Sequence, residues 1–156
     1  MKTHEYQALI AWTGNRGTGT SGYKAYDRSW DLKSPGKPVL ACSNDPNLGG
    51  DKAKYNPEDM LIAALSSCHM LWYLHLCAVG GVTVTAYEDA PTGRLNMDRD
   101  GSGQFESVTL HPKVAVTAES DHDKARALHG EIHKYCFIAR SVNFPVRIEP
   151  EIVVEG

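Results

Sequence analysis

From residue 60 to residue 79 the chain is apolar at nearly every position, and its plainly polar members, Ser66, Ser67, His69 and His75, gather around the middle. Asn56-Pro57-Glu58-Asp59 opens this run as a helix. Asn caps free amides, Pro is tolerated at the first helical position, and acids favour the positive end of the dipole. Gly80-Gly81 stops it, followed by the β-branched alternation Val82-Thr83-Val84-Thr85. The length would suit a bilayer, but the polar midpoint and the lack of a second apolar span favour the core helix of a soluble domain over a membrane protein. A helix apolar on almost every side requires cover on almost every side. A chain of 156 residues with 42% hydrophobic content makes one domain, 1–156, with little material to supply that cover, which predicts a homodimer.

The flanking segments read as strands. Residues 3–12 alternate with one buried face, and Thr13-Gly14-Asn15-Arg16-Gly17-Thr18-Gly19 turns the chain into a second strand over 20–26. Residues 33–55, rich in Pro and Gly, read as a long surface loop. Beyond the helix, residues 82–87, 93–97 and 105–117 read as a meander of antiparallel strands. A second helix then runs from Asp121 to near Ile138, and residues 146–154 form a last strand. Strands, a long helix, strands, a helix and a strand make an α+β fold with segregated layers.

Charge narrows the function classes. With 16 Lys+Arg against 19 Asp+Glu and a net charge of -3, no positive field exists to gather nucleic acid or anionic lipid. Residues 1–12 lack the pattern of a secretory leader, so the cytoplasm is the expected compartment. The four cysteines, Cys42, Cys68, Cys77 and Cys136, are too widely spread for a secreted disulfide framework.

Cys68 is the most informative of them, because it sits mid-helix beside Ser66, Ser67 and His69. A thiolate in so apolar a place needs a cation or strong donors, for which the chain offers Arg16, Arg140 and several histidines. A different chemistry is also open. His129, His133 and Cys136 stand at i, i+4 and i+7 of the second helix and, with Cys68, could form the zinc site of a non-enzymatic metal-binding or sensing dimer. A third reading is a small-molecule pocket walled by Met70, Trp72, Tyr73 and Phe137.

The pattern Trp12-x-Gly14, Arg16-Gly17-x-Gly19-Thr20, then Asn56-Pro57-Glu58-Asp59-Met60-Leu61-x-Ala63-Ala64-x-x-x-Cys68, with Cys136 near a later helix end, resembles the OsmC/Ohr family of thiol peroxidases. The order of elements is similar over nearly the whole chain. The resemblance implies an intertwined homodimer with long central helices packed between sheets. It also implies reduction of organic hydroperoxides and hydrogen peroxide, without metal, haem or flavin, in an oxidative stress response. By position, Cys68 is the peroxidatic cysteine, Cys136 the resolving cysteine, Arg16 the cation that lowers the Cys68 pKa, and Glu58 the carboxylate that orients Arg16. An external dithiol or lipoyl-type carrier would reduce the resulting disulfide.

Two positions depart from the family pattern, where Phe often follows the first cysteine and Pro the second; here these are His69 and Phe137. His69 lies about 100° around the helix from Cys68 and reads as a hydrogen-bonded buried histidine. Cys77 reads as core filling, and Cys42 as either a surface thiol or a second partner for Cys68. Glu58 and Cys68 lie roughly 15 Å apart along one helix, too far to share a guanidinium, so Arg16 and Glu58 are expected to serve the Cys68 of the other chain.

Overall fold

The computed structural model describes residues 1–155 and falls into two compact units, Met1–Met60 and the remainder from Leu61. In the first, β1 (Leu9–Trp12), β2 (Trp30–Lys33) and β3 (Leu40–Cys42) form an antiparallel sheet in that order, with Trp12 opposite Trp30 and Trp30 opposite Cys42. The strand expected over 20–26 is a series of turns, of which Tyr26 alone bridges to Asn15. Side chains organise this excursion in place of a ladder. The Asn15 carboxamide oxygen accepts from the amides of Gly17 and Gly19, and the Arg28 guanidinium lies over the rings of Tyr23 and Tyr26. Gly14 sits so close to Asp27 that a Cβ there would stand 1.7 Å from the Asp27 carbonyl oxygen. The long loop carries β3 and a 3-10 turn at Pro46–Leu48, and Cys42 is wholly buried rather than a surface thiol.

Helix α1 spans Pro57–Gly80 without a break. Its start is a reciprocal cap: the Asp59 amide donates to the Asn56 carboxamide oxygen at 2.8 Å, and the Asn56 amide donates to the Asp59 carboxylate at 3.2 Å. At its end Gly81 takes φ +75° and the Val82 amide returns to the Cys77 carbonyl, the hydrogen bond that closes a Schellman stop. The buried stripe is Leu65, His69, Tyr73 and Cys77, one residue per turn. Burial on every side is not what one chain achieves, since Leu71 and Val79 stay 62% and 69% exposed.

In the second unit β4 (Val84–Asp89), β7 (Pro112–Thr117) and β9 (Glu151–Glu155) make one sheet, in the order β4-β7-β9. Strands β5 (Thr92–Met97), β6 (Gly103–Leu110) and β8 (Val146–Ile148) make another, in the order β5-β6-β8. The expected meander over 82–117 is corrected here: β5 and β6 are a hairpin, but β4 pairs with β7 in the other sheet, and the expected last strand divides into β8 and β9, which pair parallel with β6 and β7. The runs 105–117 and 146–154 each divide between the two sheets at a proline, Pro112 and Pro150, which cannot donate to a ladder. The Asp89 carboxylate takes the His111 amide at the first crossing, and the Glu149 amide reaches the Leu110 carbonyl at the second.

Helix α2 is His122–Leu128, capped by the Asp121 side chain; from His129 to Lys134 the chain tightens into a 3-10 helix. The single helix to residue 138 is therefore corrected. Gly130 weakens the α form directly after His129, and the tighter winding takes over. Tyr73, Cys77, Val82, Val114, Val116, Ala125, Ile132 and Cys136 form the main core cluster.

Candidate active site

Cys68 lies on α1 at the edge of its buried stripe and is partly exposed; Cys136 follows the His129–Lys134 turn and is 1% exposed. The two thiols lie close enough for Cys68 to raise the Cys136 pKa, and both are free. Burial first, and the contact with Cys68 second, push the Cys136 thiol up to about 11. Cys136 therefore keeps its proton at neutral pH. Its own sulfur accepts the Ala139 amide at 3.4 Å. The pair thus sets a partly exposed cysteine beside a buried one.

Beside it, His69 Nε2 and His129 Nδ1 are 2.9 Å apart, with the rings nearly parallel. His129 also stacks on Tyr73, whose hydroxyl donates to the Ala125 carbonyl. Desolvation holds both imidazoles neutral, His69 at about 4 against a weaker opposing pull from Asp89, and His129 at about 3 with His69 and Arg126 adding to the effect. The His69 reading from sequence agrees with this. Its partner was not foreseen, although the one-per-turn stripe through 65, 69, 73 and 77 marks the face on which to look.

Around the thiols stands an aromatic border. Trp72, one turn beyond Cys68, stacks on Tyr135 at 5.1 Å and meets Phe137 edge-on at 6.0 Å. Leu71, Trp72 and His75 line an open apolar cavity of about 250 Å³. Tyr73, expected in a pocket wall, is core instead.

In the first unit, Arg16 pairs with Asp27 at 3.7 Å and donates to the Lys24 carbonyl, with its side chain 51% exposed. Glu58 is partly buried, and one of its carboxylate oxygens is buried without a hydrogen-bond partner. The structure does not pair Arg16 with Glu58.

The zinc arrangement is not supported. In a 3-10 helix residues i and i+4 diverge, so His133 is exposed while His129 is buried against His69. Among the described residues no group of three His, Cys, Asp or Glu is placed to hold a metal.

A family model described as OsmC-like protein matches residues 49–151, a stretch that includes both cysteines. The chain belongs to the OsmC-like protein family. This OsmC-like chain is similar to an OsmC-like protein of unknown function from Vibrio cholerae, with 27% identity, a TM-score of 0.82, and 97% of this chain and 100% of that one covered. It shares its fold with an organic hydroperoxide resistance protein OsmC from Legionella pneumophila, at 16% identity and a TM-score of 0.66 over 96% and 98% of the two chains. It shares it also with an organic hydroperoxide resistance protein of Bacillus subtilis, at 19% identity and a TM-score of 0.57 over 95% and 98%. No curated protein matches the sequence.

Proposed function

We propose that this OsmC-like protein is a cysteine-based hydroperoxide reductase in which Cys68 is the nucleophile and Cys136 the resolving thiol. The observation that carries the reading is the closeness of a partly exposed Cys68 to a buried, protonated Cys136. The Cys68 thiolate attacks the O–O bond of ROOH, that bond breaks, and the alcohol leaves with a proton. The resulting sulfenic acid condenses with the Cys136 thiol, releasing water and forming a disulfide. An external dithiol or lipoyl-type carrier returns both sulfurs to thiols. Membership of a family that includes hydroperoxide resistance proteins supports the same chemistry.

Arg16 is the proposed activating cation and Glu58 its orienter, the unpartnered Glu58 oxygen being free to take a guanidinium. Because α1 is unbroken, about 15 Å of helix separates Glu58 from Cys68, and the proposed arrangement places Arg16 and Glu58 at the Cys68 of a second subunit in a cytoplasmic homodimer. The exposed Leu71 and Val79 on α1 give such a dimer an apolar face to bury. Consumption of tert-butyl hydroperoxide with dithiothreitol as reductant tests the activity. The expected result is turnover in the wild type and none in Cys68→Ser; equal rates in the two would refute it. Sedimentation as a monomer at micromolar concentration would remove the dimer.

A further inference from the structure

We propose that the buried His69–His129 pair is a positioning device: it holds the segment carrying Cys136 onto α1 and so sets how readily the Cys68–Cys136 disulfide closes. The inference rests on the redox role given to that cysteine pair.

The two pairs join the same two stretches of chain. Cys68 and His69 are neighbours on α1, while His129 opens the 3-10 turn that delivers Cys136. Among the described residues, the imidazole contact is the one hydrogen bond between α1 and residues 129–141. The turn between them is short and closed, since the amides of Tyr135 and Cys136 both return to the Ile132 carbonyl, at 2.8 and 2.9 Å, and Ile132 is fully buried. A shift of His129 is therefore passed to Cys136 with little slack.

The surroundings keep the clamp set. Tyr73 of α1 stacks on His129 at 3.9 Å, the charges nearest the pair are Asp89 of β4 and Arg126 of α2, and Ser66 fixes Asp89 by a 2.5 Å hydrogen bond. Held neutral by burial, the two rings share one N–H···N bond and carry no charge that would push α1 and the turn apart. When Cys68 becomes a sulfenic acid, the Cys136 sulfur must attack it and expel water. A turn already seated raises the effective concentration of that thiol.

The contact uses a different nitrogen on each ring, and this makes a discriminating test possible. A glutamine amide reaches about where Nε2 sits and an asparagine amide about where Nδ1 sits. His69→Gln and His129→Asn keep the bond; His69→Asn and His129→Gln withdraw it. The Cys68–Cys136 dithiol–disulfide equilibrium is titrated in glutathione buffers, with the bridge assigned by peptide mapping. The expected result is His69→Gln and His129→Asn within about twofold of wild type, and His69→Asn and His129→Gln weaker by about tenfold, or roughly 30 mV for this two-electron couple. A purely structural role would lower the melting temperature of all four without this crossed pattern. Four equal equilibria, the reverse ranking, or failure of His69→Gln and His129→Asn to form the bridge would overturn the proposal. No hydroperoxide enters the titration, so a protein that shows the crossed pattern yet keeps its thiols in hydroperoxide defeats the peroxidase reading alone.

Discussion

The Cys136 thiol lies beside Cys68 in a site closed to solvent, where burial first and that neighbour second hold its pKa at about 11. Burial separates the roles: Cys136 stays protonated in the interior, while Cys68 is the partly exposed cysteine. Cys136→Ser keeps a side chain of nearly the same shape but cannot form the bridge. Its first reaction with hydroperoxide should match wild type, whereas dithiol-driven turnover falls on the order of tenfold or more and Cys68 advances to the sulfinic acid, visible as a gain of two oxygens by mass spectrometry. Full turnover in this variant would remove Cys136 from the cycle.

Arg16 offers a separation of stability from activity. Its ion pair with Asp27 is more than half exposed on both sides, so Arg16→Ala should cost less than about 1 kcal/mol in denaturant unfolding. If its cation serves a Cys68 thiolate, the second-order rate with hydroperoxide should fall by about tenfold or more in the same protein. An unchanged rate would assign Arg16 to its own turn and nothing more.

Acid should loosen the second unit through the histidine pair. In the unfolded chain each imidazole binds its proton near 6.5, but in the fold only near about 4 for His69 and about 3 for His129. Between those values the unfolded state holds more protons, so this contribution is complete above about pH 6.5 and is lost as pH falls toward 4 and then 3. Melting temperatures from pH 7 to pH 4 should fall more steeply in wild type than in a His69→Gln/His129→Asn double variant. Parallel curves would show that the pair does not titrate on unfolding.

Tyr73 joins three features of the core: the α1 stripe, the ring of His129 and the Ala125 carbonyl. Tyr73→Phe keeps the ring and leaves that buried carbonyl without its donor, a loss of about 1–3 kcal/mol in urea unfolding. A change within error would mean that Ala125 finds another partner.

What the residues alone revealed follows the range of the forces involved. Local chemistry was readable: the Asn56 cap, the glycine stop of α1 and the Asp121 cap all depend on residues close in sequence. Pairing between distant strands was not. Alternation shows that 105–117 and 146–154 are extended, but only the Asp89 carboxylate at His111 and the prolines at 112 and 150 divide each run between two sheets. The thiol pair was reached through the family pattern, whereas the histidine pair beside it joins residues sixty positions apart and is visible only in three dimensions. The winding after Leu128 also escaped the sequence reading, and with it the zinc arrangement fell.

The measurement closest to the central claim is a free-thiol count on the reduced protein before and after one equivalent of an organic hydroperoxide, with peptide mapping of any disulfide formed. Rapid loss of two thiols per chain, mapped to a bridge between Cys68 and Cys136, is the predicted result. Survival of all four thiols would contradict it.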